Sequence, residues 1–281
     1  MDATATEIDL MRKTDLQTPQ RNAYRFGMLL DVFHFQRETN YSNSKRWLIN
    51  RLVLGYGVVC GLDVKCGPEE DSIIITQGCA IDKWGREVVV PNETKPIAIP
   101  PELLPPPSKP SDYEDKNYQG EQGSRDQKDD ESSRHWEDKK KQEDVWIKVM
   151  LCYHECESDP VPVMAGDCCG TEVCAPSTIR EQYRITFREG RSKPINTNCA
   201  ITDFVPREKI DYPSIVRWVT DGCPEMPENP CITLANIRVS GGGHGCNDDN
   251  IDINIRPIVY SNDLLYNLIL SILIDRDRRE K

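Results

Sequence analysis

The stretch 21–91 constrains the fold most, because it passes from a helical pattern to a strand pattern with no linker between them. Asp31 is a good N-cap, since its carboxylate can accept hydrogen bonds from the free amides of a first helical turn. Gly55 suits the position after a helix, where the chain often takes a left-handed conformation. The pattern therefore predicts a helical segment over 21–55 that leads into strands, preceded by a flexible arm over 1–20.

The helical segment has apolar ends and a polar middle over 36–46. Phe35, Ile49 and Leu52 share a stripe at heptad-like spacing, which predicts that the ends of the helix anchor on a core. We expect the polar middle to face a neighbouring subunit. The predicted interface residues are cations of this helix and apolar residues of a terminal helix: Lys45, Arg46, Arg51, Leu265, Leu268 and Ile272.

Short strands follow the helix and recur through the rest of the chain. The Lys-Trp-Gly sequence at 83–85 predicts a hairpin turn, since its glycine can take a positive φ angle. The fold class is therefore α+β: a β-rich domain over 56–281, sandwich-like or a small barrel of antiparallel strands, with a long N-terminal helix and a C-terminal apolar helix over 262–278. The other predicted elements are strands at 57–64, 73–76, 79–82, 87–90, 97–99, 145–153, 183–187, 231–239 and 251–260, and a short helix at 213–220.

The segment 105–144 contains no Ile, Leu, Val, Met or Phe. Such a composition cannot bury enough apolar surface to offset the entropy of ordering, so the segment is predicted to be disordered. The strand pattern that resumes at Val145 favours a loop inserted into one domain. A linker between two domains is the alternative.

The net charge of −11 argues against a nucleic-acid partner, because phosphate binding relies on clustered Lys and Arg. The polar start of the sequence lacks the apolar core of a signal peptide. The longest apolar run, 264–274, is shorter than the roughly 18–20 residues that a membrane span needs. We therefore expect synthesis in the cytoplasm and no membrane span.

Twelve cysteines are many for such a chain, and one group of them is a candidate for a structural zinc site. The Cys-x3-Cys and Cys-x4-Cys spacings of this group fit zinc loosely, but the more specific Cys-x2-Cys pair is absent. Disulfides and unlinked thiols are the alternatives, and no other cofactor is predicted. The candidate ligands, with His154 nearby, are Cys152, Cys156, Cys168, Cys169 and Cys174.

The remaining cysteines are interpreted by their surroundings. Cys60, Cys66 and Cys79 lie in or beside predicted strands and are interpreted as small core residues. Four others are scattered and suit the stapling of loops: Cys199, Cys223, Cys231 and Cys246.

No catalytic constellation stands out in the sequence. No serine lies in a Gly-x-Ser-x-Gly elbow, and the Cys246–His244 pair lies on a glycine-rich turn that is a poor rigid platform. The glycines at 241–243 lack the Lys-Ser/Thr of a phosphate-binding loop. The acids and amides at 247–252 do not have the spacing of a calcium loop. A non-enzymatic role is therefore predicted.

Two blocks of the sequence resemble a known group of proteins. The blocks are RFGMLLDVFHFQRETNYSNSKRWLINRLVLGYGVVCGLDV and GCAIDKWGREVVVP. They resemble structural proteins of phage-tail-like contractile injection systems, in which a helix leads to GVV-x-GL and GRE-x-VVP motifs. Met28, Leu54 and Tyr56 depart from that pattern.

The resemblance implies a structural subunit of the baseplate, a fibre or an adaptor. It also implies other particle subunits as partners and a homo-oligomer, as a trimer or at a ring position, in a particle that can be released from the cell. A cysteine-stabilised surface module that binds glycans through Trp84, Trp146 and Trp218 is the alternative. A cysteine-stabilised enzyme is a third hypothesis.

Overall fold

The computed structural model describes residues 16, 18–69, 71–105, 144–162, 174–196, 210–239 and 246–279. The α+β class is confirmed, since the described chain combines helices with antiparallel sheets and is rich in strands. These sheets do not close into a barrel within the described residues. Most of the predicted arm at 1–20 and nearly all of the predicted insertion at 105–144 lie outside the described residues.

The N-terminal helix is shorter than the predicted segment 21–55. Helix α1 spans the 18 residues Val32–Ile49 and continues into a π-helical stretch of five residues, Asn50–Leu54. Asp31 caps its start as predicted, because its side chain accepts a hydrogen bond from the His34 backbone amide, and the His34 ring accepts one from the Asp31 amide. Gly55 ends the π-helical stretch with a φ of 81°, as the sequence predicts.

Within the described residues, ten strands form three antiparallel sheets. The first sheet has the order β1-β4-β5, the second β2-β3-β6 and the third β10-β9-β7-β8. The strand bounds are β1 Gly57–Gly61, β2 Val64–Cys66, β3 Ser72–Ile75, β4 Gly78–Ile81, β5 Glu87–Val90, β6 Ile97–Ala98, β7 Val145–Pro162, β8 Cys174–Glu189, β9 Ile232–Val239 and β10 Ile251–Asp252. Two further helices are α2, Tyr212–Thr220, and α3, Asn262–Arg279.

All three sheets contribute to one hydrophobic core. One residue from each sheet shows this: Val88 of β5, Ile73 of β3 and Leu234 of β9 are each almost completely buried. Arg256 joins sheets across this core, because its guanidinium donates to the backbone carbonyls of Leu62 and Leu234 at 3.1 Å. Residues on both faces of β9 are buried through most of its length, including the polar Asn236.

Two predicted strands end early for local reasons. The strand predicted at 57–64 divides into β1 and β2 because Leu62 takes a positive φ of 59°. The strand predicted at 251–260 is short, and its later part instead runs beside β1, where the Val58 amide donates to the Pro257 carbonyl at 2.8 Å. A Cβ at Gly57 would lie 2.6 Å from that carbonyl carbon, so the crossing requires glycine.

Residues 154–162 and 174–177, which lie outside the strands predicted from the sequence, are strand. Strand β7 continues to Pro162, and β8 begins at Cys174. These strands pair residue by residue far beyond the point where β9 stops at Leu151. Apolar alternation does not reveal these strands, because a two-stranded ribbon with solvent on both faces shows none.

Candidate functional site

A buried ion pair organises the turn between β4 and β5. Asp82 is fully buried, and its Oδ2 atom lies 2.7 Å from Nη2 of Arg86. Its Oδ1 atom accepts hydrogen bonds from the backbone amides of Trp84 and Arg86, both at 2.9 Å. Burial raises the pKa of Asp82, whereas Arg86 and these amides oppose the rise. The turn is therefore held in one shape by charge-assisted hydrogen bonds.

Aromatic rings and a neighbouring loop enclose this ion pair. The Arg86 guanidinium lies 4.7 Å from the ring centroid of Trp84 and 4.5 Å from that of Tyr153. The Trp84 indole donates to the Pro227 carbonyl at 2.8 Å, and the Lys83 amide donates to the Pro230 carbonyl at 3.0 Å. We call residues 82–87 the turn cluster. It fastens the first sheet to the segment that leads into β9.

The end of α1 docks on the turn cluster through polar contacts. The buried Asn50 side chain donates to the Gly85 carbonyl and to Glu87 Oε1, both at 2.8 Å. Arg46 Nε lies 3.2 Å from the same Glu87 oxygen. Gly85 has a φ of 90°, and a Cβ there would lie 2.1 Å from the Trp47 carbonyl oxygen. The helix backbone therefore packs directly on the glycine.

The predicted apolar anchors of the helix are wrong. Phe35 is 62% exposed and Ile49 is 54% exposed, while Leu52 is half-buried. The stripe at heptad-like spacing does not face the sheet, because the contacts of Asn50 and Arg46 with Glu87 fix another face of the helix there. The apolar ends of α1 are thus exposed surface.

The three predicted interface cations have different surroundings. Lys45 is exposed, with its Nζ 5.4 Å from the Tyr41 ring centroid. Arg46 pairs with Glu87 of the turn cluster, and Arg51 donates to the Pro224 carbonyl at 2.9 Å. Arg46 and Arg51 therefore hold the fold together, and Lys45 is the cation of this group that extends from the surface.

The three predicted apolar interface residues lie on α3 and are exposed. Leu265 and Leu268 are each 43% exposed, and Ile272 is 69% exposed. Apolar side chains on other sides of the same helix are exposed too, among them Tyr266 and Ile269. Large apolar residues are also exposed before and within α1 and on α2: Phe26, Leu29, Val32, Phe33, Phe35, Tyr212, Val216, Trp218 and Val219.

The outer parts of β7 and β8 form a long two-stranded ribbon, which we call the β-arm. It comprises residues 152–162 paired with residues 174–184. The pairing with β9 ends at Leu151, and most residues of the ribbon beyond Glu155 are exposed. Its length is about 34 Å, from the rise per residue of an antiparallel strand.

The two faces of the β-arm carry opposite charges. Cross-strand pairing places Glu155 opposite Glu181 and Glu157 opposite Ile179 on one face. Tyr153 lies at the base of this acidic face and donates to Glu155 Oε1 at 2.8 Å; burial, and then the nearby glutamates, raise the pKa of Tyr153. The opposite face carries the basic side chains His154, Arg180 and Arg184.

Local contacts hold the basic face. Arg184 lies 3.1 Å from Nε2 of His154, and Arg180 forms a two-oxygen ion pair with Asp159 at 3.0 and 3.1 Å. Asp159 has a φ of 57°, and its pKa is lowered by hydrogen bonds from Ser158 and Arg180. The ribbon therefore separates its charges while keeping a regular ladder.

The described residues do not bring the predicted zinc ligands together. Cys152 forms a disulfide with Cys231, which binds β7 to the start of β9. Cys156 and Cys174 are free and exposed, and the pairing register sets them six residues apart along the β-arm, about 20 Å. Cys168 and Cys169 lie outside the described residues. No group of three or more His, Cys, Asp or Glu side chains in the described ranges has the arrangement of a metal site.

The cysteines predicted to be core residues are not in the core. Cys66 forms a disulfide with Cys246, Cys60 is exposed and free, and Cys79 is half-buried and free. The prediction that Cys231 and Cys246 staple loops is confirmed, since each forms a disulfide with a distant part of the chain. Cys223 is free and exposed, and Cys199 lies outside the described residues.

The acidic turn at 247–252 makes contacts within the fold. Asp248 accepts a hydrogen bond from the Cys66 amide at 2.7 Å, and Asn250 accepts one from Arg238 at 3.1 Å. One cleft of the described chain, about 590 Å³, is lined by residues 91–97 and 183–185, and this cleft contains none of the three tryptophans of the glycan hypothesis. His244 and the glycines at 241–243 lie outside the described residues.

Comparison with known proteins gives no independent assignment. No protein-family model matches this chain, and no curated protein matches its sequence. Among the helices of the described ranges, none has the length and apolar character needed to cross a membrane.

The outer part of the β-arm is not among the strands predicted from the sequence, although the chain contains a signal for it. Glu155 and Glu157 repeat one charge at every second residue, which is the period of a strand. A strand with two polar faces shows this charge alternation where a half-buried strand shows apolar alternation. The β-arm was therefore detectable as charge periodicity.

Proposed function

We propose that this chain is a non-enzymatic structural subunit of a contractile, phage-tail-like injection particle, located in the baseplate, a fibre or an adaptor. The proposal starts from the resemblance of the two quoted sequence blocks. Asn50, Asp82, Gly85 and Glu87 belong to these blocks, and all four fasten the helix or its turn. Such roles suit motifs that stabilise a fold rather than motifs that carry out a reaction.

The observation that carries the proposal is the exposure of apolar side chains on α3. Tyr266, Ile269 and Ile272 are each more than half exposed, and they are accompanied by Leu265 and Leu268. Contiguous exposed apolar surface marks sites of association. A helix that is apolar on several sides requires a partner that covers it. An assembly subunit supplies that partner in its neighbour.

The β-arm supports the same proposal. A two-stranded ribbon without a covering layer is marginally stable in water. A ribbon about 34 Å long that leaves the body of the domain can reach an adjacent subunit. Its acidic and basic faces suit neighbours arranged in a ring or trimer, because the same surface recurs at each copy.

The disulfides fit a particle that ends outside the cell. Cys66–Cys246 and Cys152–Cys231 connect distant parts of the chain. Such bonds persist in oxidising environments and are rare in reducing ones. We infer synthesis in the cytoplasm, assembly into the particle, and exposure to an oxidising exterior after release.

The test is co-sedimentation of the tagged chain with particles from its native cell. The chain is expected in the fraction that contains tube-and-sheath particles by electron microscopy, at a fixed ratio to their main subunits. The proposal is overturned if the chain remains entirely in the slowly sedimenting fraction of cells that contain such particles.

A pair of variants tests the surface on α3. Ile269→Glu places a charge on the exposed apolar helix and is expected to remove the chain from the particle fraction. Lys193→Glu changes an exposed residue away from that helix and is the matched control. Circular dichroism of both purified variants should equal that of the wild type. Normal incorporation of Ile269→Glu would exclude α3 as the assembly surface.

A further inference from the structure

Two free cysteines lie directly opposite each other in the first sheet. Cys60 on β1 pairs in register with Cys79 on β4. Cys60 is exposed, Cys79 is half-buried, and neither takes part in a disulfide. Directly opposed residues of antiparallel strands point to the same face, with Cβ atoms about 4.5–5.5 Å apart. The two thiols therefore lie side by side at the surface.

The face that carries this thiol pair is covered at one end and open at the other. Cys79 pairs on its other side with Val89, which is 56% exposed. Glu87 lies on the same face, two residues away, and contacts Asn50 and Arg46 at the end of the helix. The helix thus covers the end of the sheet at the turn cluster and leaves the row of Cys60, Cys79 and Val89 accessible.

We propose that Cys60 and Cys79 form a dithiol site, which low-molecular-weight disulfides oxidise to a cross-strand disulfide. This inference does not depend on the particle assignment, because it rests on the position of two thiols within one sheet. It adds a modification site to a chain whose other disulfides join distant segments.

The chemistry balances with a small disulfide as the oxidant. The Cys60 thiolate attacks one sulfur of the small disulfide, forming a mixed disulfide and releasing one small thiol. The Cys79 thiolate then attacks the Cys60 sulfur and releases the second small thiol. The two protons of the protein thiols end on the two released thiols, and the two electrons pass to the small disulfide.

The environments of the two thiols give this order of attack. Cys60 is the more exposed thiol, so an external disulfide reaches it first. Burial raises the pKa of Cys79, and the negative charges of Cys60 and Glu87 add to the rise. Cys79 is therefore the resolving thiol, which attacks the adjacent mixed disulfide once it has formed on Cys60.

The backbone can accommodate the bond. Opposed residues have Cα atoms about 4.5–5.5 Å apart, within the roughly 4.4–6.8 Å found in disulfides. The Cβ atoms must approach by about 1 Å to reach disulfide separation. A β-bulge between Val58 and Cys60 interrupts the ladder at this point, where a small local shift is easiest.

The experiment treats the full native chain with oxidised glutathione, blocks free thiols with N-ethylmaleimide, and maps unreduced peptides by mass spectrometry. The expected product is a peptide pair joined between Cys60 and Cys79, two hydrogen atoms lighter and without glutathione. In Cys79→Ser, Cys60 has no opposing thiol and should retain a stable glutathione adduct. The exposed Cys156 faces Arg180 across the β-arm and should also retain its adduct, as an internal control.

Three results would overturn the proposal: a persistent glutathione adduct on Cys60 of the wild type, maleimide labelling of both thiols after oxidation, or linkage of Cys60 to another cysteine. Cys60→Ser guards against a folding artefact, since the substitution is small and lies at an exposed position. In that variant Cys79 should appear only as a free or glutathione-bound thiol.

Discussion

Asp82 and Arg86 form an ion pair across the turn between β4 and β5, with Asp82 Oδ2 2.7 Å from Arg86 Nη2. The Asp82 side chain is fully buried, and the Arg86 side chain is 15% exposed. The same turn receives the end of the N-terminal helix through Asn50. One ion pair therefore supports both the hairpin and the docking of the helix.

Removal of the arginine should destabilise the protein strongly. In Arg86→Met the buried Asp82 carboxylate loses its counter-charge, and breaking such a pair typically costs about 3–5 kcal/mol. Denaturant unfolding followed by tryptophan fluorescence measures the loss. Arg188→Met, at an exposed position of β8, is the control and should change the unfolding free energy little.

The same variant should show a defined pH dependence. Burial already raises the pKa of Asp82, and loss of Arg86 removes an opposing contribution, so the folded-state pKa rises further. A carboxyl with a raised folded pKa favours the folded state when protonated, and this contribution is lost as pH rises through that pKa. The deficit of Arg86→Met should therefore be larger at neutral pH than near the ordinary carboxyl pKa of about 4. An equal deficit at both pH values would contradict the buried-charge explanation.

Gly85→Ala should release the end of α1 from the sheet. A Cβ at residue 85 would lie 2.1 Å from the Trp47 carbonyl oxygen, so the helix must move. Gly27 is the matched control, because it has a similar φ of 78° but no atom within 4 Å of an added Cβ. Hydrogen exchange should quicken at residues 46–54 in Gly85→Ala and remain unchanged there in Gly27→Ala. Equal exchange in both variants would assign the effect to φ strain alone.

The sequence predicted elements better than it predicted their contacts. Asp31 and Gly55 were identifiable as ends of the helix because capping depends on local backbone chemistry. The face of the helix that meets the sheet was not identifiable, because Asn50 and Glu87 select it by contacts 37 residues apart. An apolar stripe suggests a buried face, but here the stripe through Phe35 and Ile49 is exposed surface.

The sequence likewise indicated some features of the candidate surfaces and not others. The apolar residues of α3 were recognisable as a candidate interface because they surround the helix rather than form one stripe, and the structure shows that they are exposed. The disulfide partners were not, since residues 180 positions apart in the case of Cys66 and Cys246 meet only through the tertiary fold. Cys60 and Cys79 looked like core residues because cysteine is among the most buried residue types. The open side of their sheet is a property of packing, which the sequence does not display.

The disulfide Cys66–Cys246 should contribute substantially to stability. It joins residues 180 positions apart, and loss of a native disulfide commonly costs about 2–5 kcal/mol. The double variant Cys66→Ser/Cys246→Ser should therefore unfold at a lower denaturant concentration than the wild type. Cys223→Ser removes an exposed free thiol and should leave the midpoint unchanged. A wild-type midpoint for the double variant would show that the loop is held by other contacts.

Charge reversal should separate the two neighbouring cations of α1. Lys45 extends from the surface, whereas Arg46 pairs with Glu87. Lys45→Glu is expected to reduce incorporation into particles without changing the unfolding midpoint. Arg46→Glu should instead quicken hydrogen exchange at the end of α1, because it places a negative charge beside Glu87. Full incorporation of Lys45→Glu would remove this side of the helix from the assembly surface.

The acidic face of the β-arm should respond to one substitution at its centre. Glu155 and Glu181 are directly opposite each other, and like charges in this arrangement are destabilising. Glu181→Lys converts the repulsion into attraction and should stabilise the ribbon by about 0.2–1 kcal/mol. Gln182→Lys introduces the same cation one residue away on the opposite face, where it meets His154, and serves as the control. Hydrogen exchange of amides 155–160 should slow in Glu181→Lys and not in Gln182→Lys.

If the acidic face also binds a cationic surface of a neighbouring subunit, Glu181→Lys should at the same time lower incorporation into particles, so that a more stable arm assembles less well. Slower exchange with undiminished incorporation would show that the glutamates affect only the stability of the ribbon. The acidic face would then be excluded from contact with a neighbouring subunit.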